Sequence, residues 1–181
     1  MVPFEEAMQI AHVVYKLLEP HCDRIMIAGS LRRYKPAVKD IEIVCIPKGC
    51  VMEYTTQADF FGAQETSHRI TKPSKGFIDA VSQFHKIKGE PTGRYTQRRL
   101  NEKIVLDLFM CTADNWGYIL AVRTGSADYS HKVLGSRWVA KGYKGTNGML
   151  YKNGSPVKVL QEEDLFTLCG MKYIDPKMRN I

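Results

Sequence analysis

No apolar run in this 181-residue chain approaches the roughly 20 residues that a membrane-spanning helix needs. The opening MVPFEEAMQ is acidic and contains no apolar signal-peptide core, so the expectation is a cytoplasmic protein with no membrane partner. Cysteine is scarce and odd in number. Cys22, Cys45, Cys50, Cys111 and Cys169 lie far apart with no C-x-x-C, which argues against a disulfide scaffold and for reduced thiols. The histidines, at positions 12, 21, 68, 85 and 131, show no ligand spacing with these cysteines, so a zinc site is not expected. Internal repeats and low-complexity tracts are also missing, which excludes solenoids and long disordered tails. What remains is a chain with 44% hydrophobic residues, long enough to bury a core as one large domain or one domain with a small appendage. Lysine and arginine number 26 against 19 acids, for a net charge of +7. That excess is compatible with a polyanionic partner and equally with a merely basic surface.

Helical spacing of Phe4, Ala7, Met8, Ala11, Val14, Tyr15 and Leu18 predicts a first helix over Pro3–Leu18. RIMIAGS reads as a short buried strand, Ile25–Ala28, ending in a Gly-Ser turn, and DIEIVCIP reads as a second strand stopped by Pro47. Residues 51–83 give little periodicity, apart from a short helix suggested by Phe77, Ala80, Val81 and Phe84. A hairpin is expected around Gly89–Gly93, then an apolar strand in EKIVLDLFMC, then a helix through Asn115–Val122 with Asp114 as its N-cap. Beyond Gly125, ADYSHKVLGSRWVAKGY reads as a basic helix ending at Gly142. Short strands near Met149–Tyr151 and Val157–Val159 follow, and a last helix in EEDLFTLCG stops at Gly170. The composition shift places a boundary near residues 121–126.

Three acids break this apolar pattern. Asp40 and Glu42 are one residue apart in a strand, so they share a face, while Ile41, Ile43 and Cys45 point to the other side. Asp107 interrupts the later strand LDLFM in the same way. Neighbouring carboxylates in apolar surroundings repel and are costly to desolvate. Two resolutions are open: the acids lie at strand ends, solvated or paired with Arg or Lys, or they hold a divalent cation between them. Oxygen ligands of this kind suit Mg²⁺, whose coordination substrate phosphates usually complete. The segment just before the acids favours the second reading. Gly29 permits close backbone approach, Ser30 offers a hydroxyl and an N–H, and Arg33 can grip phosphate oxygens with two parallel hydrogen bonds. A phosphate grip beside paired carboxylates implies two-metal phosphoryl transfer.

GSLRR followed by DIE in a strand, with a lone Asp in a later strand, resembles the nucleotidyltransferase superfamily. KIKGEPTGRY resembles the hairpin that precedes the third catalytic strand in its family X DNA polymerases, the polymerase beta-like group. LDLFM and WGYILAVRTGSADYS resemble that strand, the next helix and the T-G-S segment, and the spacing from Asp107 to Thr124 matches. Lys141–Arg179 resembles the C-terminal subdomain down to its final Y-x-x-P-x-x-R. The resemblance covers nearly the whole chain except residues 47–83, in a minimal form like that of small viral or phage members.

The resemblance implies an α+β fold: a nucleotidyltransferase-type mixed sheet with flanking helices over residues 1–122, and a small C-terminal subdomain over 123–181 that binds nucleotide and duplex. It implies that Asp40, Glu42 and Asp107 are catalytic and ligate two Mg²⁺ ions, with Mn²⁺ able to substitute. Asp107 would also help take the proton from a primer 3′-hydroxyl. Ser30 and Arg33, assisted by the backbone at Lys39, would hold the triphosphate, Gly125 and Ser126 would pack against the sugar and base, and Gly29 and Thr124 would complete the nucleotide-binding set. Arg32 would support the turn rather than touch substrate. Glu42 stands where better-known members carry Asp. Val122 and Arg123 stand where they carry a Tyr-Phe pair that discriminates against a 2′-hydroxyl. The helix after Gly125 holds one residue more than the family pattern before Lys141-Gly142.

Lys86, Lys88, Arg94, Arg98, Arg99 and Lys103 line the hairpin and the strand after it, where they could track nucleic-acid phosphates or simply keep an exposed edge soluble. The expected function is therefore a monomeric, distributive, Mg²⁺-dependent DNA polymerase. It would add deoxynucleoside triphosphates to primer-template or gapped DNA, in a repair setting. The rival readings are a nucleotidyltransferase acting on RNA, a small molecule or a protein, and a non-catalytic nucleic-acid-binding module.

Overall fold

The computed structural model describes residues 1–181. A two-residue strand, β1 (Val2–Pro3), leads into α1 (Phe4–Leu18). Pro3 occupies the N-cap with extended backbone, and Glu5 and Glu6 favour the positive N-terminal end of the helix. Ala7, Ala11, Val14 and Leu18, at spacings of four and three, form the buried stripe. The chain continues through β2 (Cys22–Ile27), the single turn α2 (Gly29–Arg32), β3 (Ala37–Val38) and β4 (Asp40–Pro47). β5 (Met52–Ala58) and β6 (Gln64–Ile70) make a separate hairpin, followed by α3 (Lys75–Ser82). Then come β7 (His85–Gly89), β8 (Tyr95–Arg99), β9 (Val105–Met110) and α4 (Trp116–Thr124).

The central sheet has five strands in the order β2-β4-β9-β8-β7. Only β4 and β9 run parallel, with Asp40 opposite Val105, Glu42 opposite Asp107 and Ile43 opposite Leu108. The other pairings are antiparallel, so the sheet is mixed, as expected. Because side chains alternate, Ile41, Ile43 and Cys45 of β4 and Leu106, Leu108 and Met110 of β9 face one way. They pack there against Ala7, Ala11, Val14 and Leu18 of α1 and Phe77, Ala80 and Val81 of α3. Each fully buried Ile or Leu here is worth roughly 1.5–3 kcal/mol, which fixes the register of the two central strands. The opposite face changes character along its length. Val44, Ile46 and Phe109 lie beneath Trp116 and Leu120 of α4, whereas Asp40, Glu42 and Asp107 occupy the part of that face beyond this apolar cluster.

The region that lacked periodicity, 51–83, forms the β5–β6 hairpin in full register from Met52–Ile70 to Ala58–Gln64, then α3. Its residues are mostly exposed, so no hydrophobic alternation marked it. The hairpin leans on the C-terminal part of the chain. His68 Nδ1 shares a 2.5 Å hydrogen bond with the Tyr151 hydroxyl, and the Thr66 N–H donates to the Gly154 carbonyl at 3.4 Å.

The C-terminal part corrects three expectations. Thr112, not Asp114, caps the turn that starts α4, through reciprocal bonds with Asn115. Asp114 instead accepts from the Tyr54 hydroxyl at 2.6 Å and pairs with Lys158 at 3.3 Å. The basic helix after Gly125 is not one α-helix. Tyr129–Gly135 is π-helical and runs into α5 (Ser136–Ala140), and a wider turn of this kind is how a helix absorbs an additional residue. The third correction concerns strands. β10 (Lys144–Thr146), β11 (Met149–Lys152) and β12 (Ser155–Val157) form an antiparallel three-stranded sheet, with a first strand that was not expected and a last one ending at Val157. α6 (Glu162–Leu168) and the tail complete a second core around Leu134, Leu150, Leu165 and Phe166. The anticipated 122/123 boundary falls inside α4, which serves both cores: Trp116 and Leu120 belong to one, Ala121 to the other. Gly117 lets α4 approach the chain closely, since a β-carbon there would lie 2.1 Å from the Gln161 carbonyl oxygen.

Candidate active site

The turn between β2 and β4 is shaped by its acids. Gly29 has φ +58°, and a β-carbon built on it would lie 1.8 Å from Oε2 of Glu42. No other residue combines that backbone with that space. The Ala28 N–H donates to the Glu42 carbonyl at 2.8 Å, which ties the turn to β4. Ser30 and Arg33 project from this turn. Arg33 is oriented by three bonds: Nη2 to Ser30 Oγ at 3.1 Å, Nη1 to the Thr124 carbonyl at 2.7 Å and Nε to Asn180 Oδ1 at 2.9 Å. Arg32 supports the turn, as expected. Its guanidinium binds both oxygens of Glu162, at 2.8 and 2.6 Å, and donates to Thr124 Oγ1 at 2.6 Å. Fully buried Arg179 donates to the same Glu162 at 2.6 Å, so one buried carboxylate joins α2, α6 and the C-terminal tail.

Asp40, Glu42 and Asp107 share one face of adjacent strands, with Glu42 and Asp107 directly opposite each other. Burial, then the neighbouring Asp107, raises the Asp40 pKa, with Lys39 and Arg33 opposing. Burial, then Asp40 and Asp107, pushes Glu42 up to about 7, against the pull of Arg123 and Arg33. No ion pair reaches any of the three carboxylates. On β8, Gln97 lies opposite Asp107 and Tyr95 opposite Phe109. The Tyr95 hydroxyl donates to Asp107 Oδ1 at 2.6 Å, and Gln97 Nε2 donates to the same oxygen at 2.8 Å. Sequence reasoning missed both donors, because the contact depends on cross-strand register. As placed, no three His, Cys, Asp or Glu side chains in the molecule are gathered closely enough to hold an ion between them.

A cleft of about 870 Å³ opens beside the acids, lined among others by Ser30, Arg33, Asp40, Glu42, Arg123, Gly125, Ser126, Trp138 and Val139. Gly29, Lys39, Thr124 and Asp107 do not line it. Gly29 and Thr124 are buried next to it, Lys39 is exposed, and Asp107 is half-buried. Thr124 therefore supports Arg32 and Arg33 from beneath. Arg123 stacks its guanidinium on the Phe109 ring at 4.1 Å, a placement that the position before T-G-S did not suggest.

The basic hairpin divides. Lys86, Lys88, Arg94, Arg99 and Lys103 are exposed, but Arg98 is only 4% exposed and donates to Thr96 Oγ1 at 3.0 Å. Strand alternation turns Arg98, opposite Leu106, to the core side of β8, where, contrary to expectation, it cannot reach nucleic-acid phosphates. Lys86 pairs with Glu90, and Lys103 lies 3.8 Å from Glu6 on α1.

The family described as DNA polymerase beta thumb matches residues 119–180, from the second half of α4 to the tail. DNA polymerase IV of Saccharomyces cerevisiae is 33% identical over 106 residues, a match that spans 58% of this chain and 16% of that protein. Taken with a mixed sheet that sets three acids on one face beside a cleft, these similarities support a polymerase beta-like relationship to family X of the DNA polymerases, and the chain spans about a sixth of the length of the yeast protein it matches.

Proposed function

We propose that the chain catalyses template-directed addition of deoxynucleotides to a primer 3′-hydroxyl, with the cleft as nucleotide site. The observation that carries this reading is the in-register pair Glu42–Asp107, with Asp40 on the same face and Ser30 and Arg33 at the edge of the same cleft. The donor set fits a hard divalent cation. It consists of carboxylates alone, no lysine or arginine pairs with them, and burial beside like charges leaves Glu42 with a raised pKa that a cation would lower. Asp40, Glu42 and Asp107 would hold Mg²⁺, after side-chain adjustments within a rigid sheet. When bound, the ions would offset the triphosphate's charge and make the primer hydroxyl a better nucleophile.

The chain's own groups do the rest. Arg33, held by Ser30, Thr124 and Asn180, presents a fixed cation to the triphosphate, and Ser30 adds a hydroxyl beside it. Asp107, opposite Glu42, accepts the proton released by the 3′-hydroxyl. Gly125 and Ser126 line the cleft where the sugar and base of the nucleotide would lie. Exposed Lys88 and Arg94 on the hairpin that ends in β8 would meet the nucleic-acid backbone. Primer extension on gapped DNA with Mg²⁺ and each nucleotide tests the reading. Incorporation that follows the template and disappears in Asp107→Ala supports it, whereas extension by Asp107→Ala at the unsubstituted rate overturns it.

A further inference from the structure

Two neutral donors converge on one oxygen of Asp107, and the other oxygen has none. Tyr95 and Gln97 lie on the same face of β8, and antiparallel register places Gln97 directly opposite Asp107. Their bonds to Oδ1 are 2.6 and 2.8 Å, and Oδ2 receives no hydrogen bond from the protein. The Tyr95 ring is itself fixed by packing on Phe109 at 5.1 Å, the next residue on that face of β9. Lys88 Nζ lies 5.2 Å from the centre of the same ring.

We infer that Tyr95 and Gln97 are positioning residues for Asp107, holding Oδ1 so that Oδ2 is the oxygen available to the reacting hydroxyl. The inference rests on the polymerase reading and adds residues to it. An ionised carboxylate rotates readily about its terminal bond, and two donors from a neighbouring strand remove that freedom. Because either donor alone can restrain Oδ1, the two should act as a unit rather than independently. Lys88 on β7 and Arg94 just before β8 belong to the same hairpin as the two donors, so one hairpin carries both the exposed cations and the groups that orient Asp107.

The test uses Tyr95→Phe, which keeps the ring on Phe109, Gln97→Met, which keeps the volume, and the double variant, with Asp107→Ala as reference. The expected result is a fall in kcat of about 5-fold in each single variant and about 100-fold or more in the double, a combined loss larger than the product of the two. KM for the nucleotide and Kd for gapped DNA should stay within about 3-fold. A crystal structure of the double variant should show the Asp107 carboxylate rotated or in two positions while residue 95 stays on Phe109. A kcat that is unchanged, or raised because the bonds had withheld Asp107, overturns the inference. An increase in KM or Kd that accounts for all the loss does the same. If Asp107→Ala retains full activity, the polymerase reading itself fails. If Asp107→Ala is inactive while the double variant keeps the unsubstituted kcat, only the positioning role is removed.

Discussion

Gly29 and Glu42 occupy one another's space: a β-carbon on Gly29 would stand 1.8 Å from Glu42 Oε2, and its φ of +58° is left-handed. Gly29→Ala therefore has to displace the Glu42 carboxylate and strain the turn at once. The left-handed conformation alone costs about 1–2 kcal/mol in a non-glycine residue, which for a chain of this size lowers Tm by about 5 °C. On the proposed polymerase mechanism, displacement of the Glu42 carboxylate by about an ångström should lower kcat by about 100-fold. Thermal denaturation and single-turnover extension check the two effects separately.

Glu162 holds two arginines. Its pKa is pushed up by burial and pulled down by its bonds to Arg32 and by Arg179, and the pull wins, so the folded value lies below the ordinary 4.5. A carboxylate depressed in this way stabilises the fold fully above its unfolded pKa, and that contribution disappears as pH falls through the folded value. Glu162→Gln should thus lower stability at neutral pH and flatten the acid limb of the stability profile below about pH 4.5. Removing one partner of a buried pair leaves an uncompensated charge, and the expected loss is about 3–5 kcal/mol. Denaturant unfolding between pH 3 and 7, a range of about four units around that pKa, measures it.

The hairpin cations should separate by burial. Lys88→Ala and Arg94→Ala should each reduce the slope of log affinity for DNA against log salt by about 0.9 for every phosphate that is no longer neutralised. Arg98→Met should leave the slope unchanged, since Arg98 is 4% exposed on the core side of β8. Affinity titrations at three or more salt concentrations distinguish them.

Val122 and Arg123 both line the cleft, and neither offers an aromatic edge to the sugar; the Arg123 guanidinium lies 4.1 Å from the centre of the Phe109 ring. A pocket that does not bond a hydroxyl rejects one only weakly, by about 100-fold. The ratio of kcat/KM for deoxy- over ribonucleotides should therefore be about 100 or less. A ratio of several thousand would assign sugar selection to another residue.

The parts of this protein legible in its sequence are those where chemistry conflicts with local pattern. Asp40, Glu42 and Asp107 stand out as acids in apolar strands, and strand alternation alone puts Asp40 and Glu42 on one face. That Glu42 and Asp107 are opposite one another needed the β4–β9 register, which sequence spacing does not encode. Tyr95 and Gln97 were hidden for the same reason, and Arg98 was misread because a cation among cations looks solvated until its face is known. The β5–β6 hairpin gave no signal, because exposed strands have no hydrophobic alternation. Asp114 looked like a cap by position, but its carboxylate is taken by Tyr54 and Lys158, groups distant in sequence. The extra residue after Gly125 was visible as a length mismatch, and its π-helical form was not.

The polymerase reading depends above all on Asp40, Glu42 and Asp107 sharing a divalent cation with a bound triphosphate. A crystal of the protein with gapped DNA, Mn²⁺ and a non-hydrolysable nucleotide, read by anomalous scattering, tests it most directly. The prediction is manganese density ligated by all three carboxylates, with phosphate oxygens beside Ser30 and Arg33. Manganese bound elsewhere, or ligated without Asp107 while the nucleotide fills the cleft, would contradict it.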